Sequence, residues 1–147
     1  MANGTRKVRV IALGGTIAMA AAGGALKPAL GAGELAGSLG GREPGLSVDW
    51  ADFAQVPSAN LTFADMVNLA AEISRLAHVG YHGVVISQGT DSLEETAFAL
   101  ELLLDAPIDV ALTGAMRGST AAGADGPANL LGALRFLEGS AGGGEVV

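Results

Sequence analysis

The sequence predicts an α/β domain: a parallel-type sheet with helices on both faces, in a Rossmann-like or flavodoxin-like layering. Three observations carry that expectation. Short runs rich in β-branched residues, KVRVIAL (7–13), GVVIS (83–87) and PIDVALTG (107–114), are apolar almost throughout, as strands covered on both faces must be. Each ends in glycine and polar residues. Stretches with helical spacing of apolar residues then alternate with these runs, the order that builds parallel sheets. No internal repeat of the solenoid kind is present.

Taken in order, residues 7–13 form a first buried strand closed by Gly14-Gly15. Residues 18–41 are rich in Gly and Ala with weak periodicity, and read as a mobile loop with a short helix near Glu34 to Leu39. LSVDWADFA (46–54) alternates like a half-buried strand. LTFADMVNLAAEISRLAH (61–78) is an amphipathic helix, with Thr62 and Asp65 close to a capping box and an apolar stripe of Phe63, Met66, Val67, Leu69, Ala70, Ile73 and Leu76. After the second buried strand, Ser92 and Glu95 match the S-x-x-E capping box before LEETAFALELLL. The third strand precedes a helix over GPANLLGALRFLEG (126–139). The last residues begin another apolar run, so the chain is expected to stop inside a strand and to be a fragment of a longer protein.

The 147 residues, half of them apolar, suffice for one domain with a substantial core. Eight Lys plus Arg against fifteen Asp plus Glu give a net charge of −7, which argues against nucleic acid and anionic membrane surfaces as partners. No run approaches the roughly 18 apolar residues of a membrane span. The opening MANGTRKVRV lacks the apolar stretch of an export signal, so a cytoplasmic location is expected. Without cysteine there is no thiolate nucleophile, disulfide or Cys-based zinc site. His78 and His82 are the only histidines and read as surface or capping groups.

Ligands of open parallel sheets bind beyond the carboxyl ends of the strands. Three tips lie there: Gly14-Gly15-Thr16, Gln88-Gly89-Thr90-Asp91 and Gly114-Ala115-Met116-Arg117. Glycine before a hydroxyl lets the backbone approach a ligand and frees N–H groups for an anion. A threonine becomes a nucleophile only beside a base, and a solvated carboxylate such as Asp91 is too weak a base alone. Each tip alone also fits an ordinary turn or helix cap. Arg117 either clamps an acid or pairs with Asp125. The glycines match neither the dinucleotide nor the P-loop fingerprint.

Together, LGGTIAM (13–19), SQGTDSLEETAFAL (87–100) and TGAMRGSTAAGADGPANL (113–130) resemble, in order and spacing, the signature segments of the bacterial-type L-asparaginase family, which includes glutaminase-asparaginases. The resemblance covers nearly the whole chain as the family's amino-terminal domain, here incomplete (1–147) and without the carboxyl-terminal domain. It implies hydrolysis of L-asparagine to L-aspartate and ammonia through a threonine acyl-enzyme, with no metal or organic cofactor, and leaves open whether L-glutamine is a second substrate. It places the nucleophile on Thr16, and the second threonine and aspartate on Thr90 and Asp91, with Asp91 also holding the substrate α-amino group. Ser58, with N–H groups near Gly15 and Gly89, would bind the substrate carboxylate. The carbonyl at Ala115 would meet the leaving amide.

The pattern also departs from the family. Residues 18–41 contain no tyrosine to meet the nucleophile, and Ala59 stands where a glutamine is frequent. The family lysine that pairs with the second threonine and aspartate is expected beyond residue 147. The isolated chain is accordingly expected to be inactive, and the full-length enzyme a homo-oligomer. Two other readings remain: the asparaginase-like subunit of a tRNA-dependent amidotransferase, against which stands the short MANGTRKVRVIA before Leu13, and a non-catalytic amino-acid-binding module.

Overall fold

A computed structural model describes residues 5–147 except 16, 18, 23, 24, 29, 30 and 43, and for 19–22 and 25–28 the backbone alone. The elements are β1 (Lys7–Ala12), β2 (Met19–Ala22), β3 (Ala25–Pro28), α1 (Ala32–Leu39), β4 (Ser47–Asp52), α2 (Phe63–His78), β5 (Gly83–Ser87), α3 (Leu93–Leu103), β6 (Asp109–Thr113) and α4 (Gly126–Gly139). Two single 3-10 turns, Ser58–Asn60 and Thr90–Ser92, precede α2 and α3.

Four strands make one parallel sheet in the order β4-β1-β5-β6. Counting only these strands along the chain, that is 2-1-3-4, the flavodoxin-like order, with its switch point between β1 and β5. Ala12 pairs with both Asp52 and Ser87, and Ser87 pairs with Thr113, so the carboxyl ends of all four strands lie level. The loops leaving those ends open on one edge of the sheet.

Alternation along each strand divides the core in two. Val8 and Val10 of β1, Val85 and Ala111 face α1 and α4 through Leu35, Leu39, Leu130, Leu134 and Leu137. Ile11, Val84, Ile86 and Val110 face α2 and α3 through Leu69, Ile73, Leu76 and Leu100. Helices therefore cover both faces, as the apolar strands require.

Several expectations needed correction. The segment 18–41 is not a plain loop: β2 and β3 pair antiparallel, Met19 with Pro28 through Ala22 with Ala25. Its alanines have weak strand propensity and no polar alternation, so only Gly23-Gly24 between the arms hinted at a hairpin. Helix α1 starts at Ala32, two residues before the expected Glu34, because the Asp52 carboxylate at the end of β4 accepts the Ala32 N–H at 2.9 Å. In α2, Phe63 and Val67 belong to the expected apolar stripe yet are exposed, while Met66, Leu69, Ala70, Ile73 and Leu76 are buried. The Thr62–Asp65 capping box does form, at 3.2 and 2.8 Å. The Ser92–Glu95 box does not: Ser92 makes no cap hydrogen bond.

Beyond α4, the buried Asp109 carboxylate accepts the N–H groups of Gly142, Gly144 and Glu145 at 2.8 to 3.0 Å. Residues 145–147 then run parallel beside β6, with Val147 N–H on Val110 O at 2.9 Å. Burial works to raise the Asp109 pKa, and the donated N–H groups more than offset it, leaving the carboxyl below its ordinary value.

Two stability experiments follow from this packing. Ile73→Ala, at a fully buried site, is expected to cost about 2–5 kcal/mol in chemical denaturation. Because the folded pKa of Asp109 is depressed, its contribution is present above the unfolded value near pH ~4 and disappears as pH falls through the folded one. Asp109→Asn should thus be less stable than the wild type at neutral pH, with the gap closing on acidification. A gap that stays constant across that range would contradict the assignment.

Candidate active site

The three tips meet, and glycine is what lets them. Gly15 has φ +85°, a left-handed conformation that suits glycine, and a Cβ built there would lie 2.1 Å from Gly89 N. The backbones after β1 and β5 are thus in direct contact across the switch point. A Cβ at Gly89 would in turn lie 2.6 Å from Ser58 Oγ, which brings in the turn that follows β4. The third tip closes the group, since a Cβ at Gly114 would meet Gln88 O at 2.9 Å and the Thr90 methyl at 3.0 Å.

Ser58 is buried and oriented on both sides. Its Oγ accepts the Asp91 N–H at 3.1 Å, which leaves its own hydroxyl proton to donate elsewhere. Its carbonyl accepts the Ser92 hydroxyl at 2.8 Å and the Leu61 N–H at 3.0 Å. Asp91 is exposed, and its carboxylate has no partner among the described residues. One hydroxyl proton and one open carboxylate therefore stand on adjacent turns, a fit for an anion and a cation of one small ligand.

Thr90, Asp91, Ser58, Gly15, Gly89 and Ala115 all lie at this end of the sheet. Thr16 falls outside the described residues. Of the residues on either side, Gly15 lies on Gly89, and the buried Ile17 touches Gly126, where a Cβ would approach the Ile17 Cγ1 to 2.9 Å and the Ala115 Cβ to 3.6 Å. A hollow of about 290 Å³ adjoins Thr90, between Gly114, Ala115, Asp125 and Asn129. Roomier hollows of about 540 and 720 Å³ lie beside Arg9 and Glu72, and beside Asp109 and Arg135, but none of the three tips lines them.

The third tip is held by residues to which the sequence reading gave no such role. Asp125 accepts the N–H groups of Met116 and Arg117, both at 2.9 Å, and these bonds hold its carboxyl below the ordinary range. The Arg117 guanidinium binds Gly123 O at 3.1 Å, and it is the backbone N–H of Arg117 that meets Asp125. Asn129 Nδ2 donates to Gly114 O at 3.0 Å. Among the described residues the Ala115 carbonyl accepts no hydrogen bond, which leaves it open to a donor. The only hint of this support in sequence was Asp125 before Gly-Pro at a helix start.

The histidines and the tyrosine lie elsewhere. His78 meets Ser74 O of its own helix at 2.7 Å, and His82 lies near Leu137 O and Arg6 at the amino ends of the strands. Tyr81 donates to Asp49, accepts from Arg9 at 2.7 Å, and lies under the Lys7 and Arg9 cations. Among the described residues no group of three or more His, Asp and Glu side chains is placed to hold a metal ion.

Gly15→Ala is expected to lose at least about 1–3 kcal/mol, from strain at positive φ and collision with Gly89, by denaturation. Gly33→Ala, on the open face of α1, should instead gain up to about 1 kcal/mol. Equal effects at the two positions would contradict the contact.

Comparison with known proteins agrees with this arrangement. The model of the asparaginase N-terminal family matches residues 7–147. Probable L-asparaginase 4 of Schizosaccharomyces pombe is 46% identical over 89 residues, 60% of this chain and 25% of that protein. L-asparaginase 2-3 of Saccharomyces cerevisiae is 34% identical over 128 residues, 84% of this chain and 35% of that protein. The crystal structure of a probable cytoplasmic L-asparaginase from Campylobacter jejuni superposes with a TM-score of 0.79 at 34% identity, covering 90% of this chain and 40% of that one. The chain thus spans well under half the length of these relatives. With its sheet order, its three converging tips and this match over residues 7–147, the chain belongs to the asparaginase family.

Proposed function

We propose that the protein containing these residues hydrolyses L-asparagine, and L-glutamine as a second substrate, to the acid and ammonia, with Thr16 as nucleophile. The observation that carries this reading is the Gly15–Gly89–Ser58 contact, which sets Gly15, the residue before Thr16, against the turn that leads to Thr90 and Asp91 and that packs on Ser58. The substrate α-ammonium meets the Asp91 carboxylate. The Ser58 hydroxyl and the N–H groups near Gly15 and Gly89 receive the α-carboxylate. Charge-assisted contacts of this kind are the stronger hydrogen bonds, and fixing both ends of the ligand directs its side-chain amide to Thr16.

The chemistry follows from that placement. The Thr16 oxygen attacks the amide carbonyl, the C–N bond breaks, and the nitrogen leaves as ammonia carrying the proton that the hydroxyl lost. The Ala115 carbonyl accepts a hydrogen bond from the departing amide. Water then cleaves the threonine ester, restores the hydroxyl and releases the carboxylate. Thr90 helps to activate the nucleophile in the first step and the water in the second. No metal or organic cofactor enters this scheme. The location proposed is the cytoplasm, as the Campylobacter jejuni protein is described, and the full-length state a homo-oligomer. Among the described residues no helix is long and apolar enough to cross a membrane.

Ammonia release from both amides by the product of the complete reading frame tests this. Thr16→Ala is expected to abolish turnover, and Asp91→Asn to lower kcat/KM roughly 10- to 100-fold through loss of one charge-assisted contact. Amino-acid binding by a folded wild type without ammonia release would favour the non-catalytic module instead.

A further inference from the structure

We infer that Ser92 is a positioning residue: it holds Ser58 at a set distance from Asp91 and thereby tunes recognition of the amino-acid head of the ligand. The inference rests on the proposed ligand-binding role of Ser58 and Asp91, and it assigns a function to a residue that the helix-start pattern had marked as a cap. Ser92 stands at the cap position of α3, yet its side chain accepts no N–H from that helix. Its hydroxyl donates instead to Ser58 O at 2.8 Å, across 34 residues of sequence. A serine at this position normally accepts from its own first turn, so the observed bond forgoes a local stabilisation in favour of a distant one.

The bond belongs to a chain. Thr96, fully buried in α3, donates its hydroxyl to Ser92 O at 2.8 Å. Ser92 donates to the Ser58 carbonyl, and the Ser58 hydroxyl oxygen accepts the Asp91 N–H at 3.1 Å. Ser58 is therefore held at two points from the turn that carries Asp91, through its carbonyl and through its side chain. The second bond has a chemical consequence. With an Oγ lone pair taken by an N–H, the Ser58 proton is the group left to point at an anion, while the Asp91 carboxylate next to it stays open for a cation. Ser92 touches neither ligand end. It sets the separation of the two groups that do.

A hydroxyl at position 92 is what the geometry needs, so Ser92→Thr should preserve it and Ser92→Ala remove it. The test uses the full-length protein in three forms, wild type, Ser92→Ala and Ser92→Thr, with L-aspartate binding by calorimetry, steady-state ammonia release from L-asparagine, and the thermal midpoint. Ser92→Ala is expected to bind L-aspartate about tenfold more weakly and to raise KM by a similar factor, with kcat little changed. Ser92→Thr is expected to restore both. A wild type that binds L-aspartate but releases no ammonia, with Ser92→Ala binding more weakly, would end the hydrolase reading and leave Ser92 in its role. Unchanged binding in Ser92→Ala, or a lowered midpoint with no binding change or no rescue by threonine, would overturn the inference in favour of a purely structural serine. Absence of any amino-acid binding by the folded wild type would overturn it together with the ligand assignment beneath it.

Discussion

The contact on which the site depends is between two main chains. Gly15 rests on Gly89 so closely that a single methyl group has no room, and the strand order puts these loops at the point where the chain changes its direction of travel across the sheet. Level carboxyl ends make the contact possible, because Ala12 and Ser87 are register partners and both chains turn at the same height. Ser58 joins through Gly89, and Thr90 through Gly114. Thr90 and Asp91, neighbours in sequence, and Ser58 from a distant turn thereby share one crevice, held by a scaffold whose two faces are closed by four helices.

Electrostatics distinguish the groups that hold the site from those that serve it. Asp109 and Asp125 have their carboxylates filled by backbone N–H groups and hold loops in place at opposite ends of the sheet. The Asp91 carboxylate, by contrast, has no partner among the described residues. An exposed carboxylate set beside a buried, oriented serine suits a zwitterionic head group, whereas satisfied carboxylates contribute shape.

Much of the fold was legible because burial on both faces leaves a strand almost no polar residue, as in GVVIS, and because α4 has a helical pattern bounded by Asp125 and Ser140. The β2–β3 ribbon was not legible, since the three alanines of MAAA carry neither alternation nor propensity. At the site, the meeting of the tips that carry Thr90, Asp91 and Ala115 followed from the strand–turn–helix pattern. The partners of Ser92 and Arg117 did not, because local pattern cannot reveal an acceptor supplied from another part of the chain. Ser92 finds the Ser58 carbonyl, and Arg117 finds Gly123 O while Asp125 takes the backbone N–H groups.

The most direct test of the central claim is a crystal structure of the full-length protein with L-aspartate bound. The account expects the α-ammonium on Asp91, the α-carboxylate on the Ser58 hydroxyl and the N–H groups near Gly15 and Gly89, and the side-chain carboxyl against Thr16. L-Aspartate seated elsewhere, or seated here with its α-carboxylate turned away from Ser58, would contradict it.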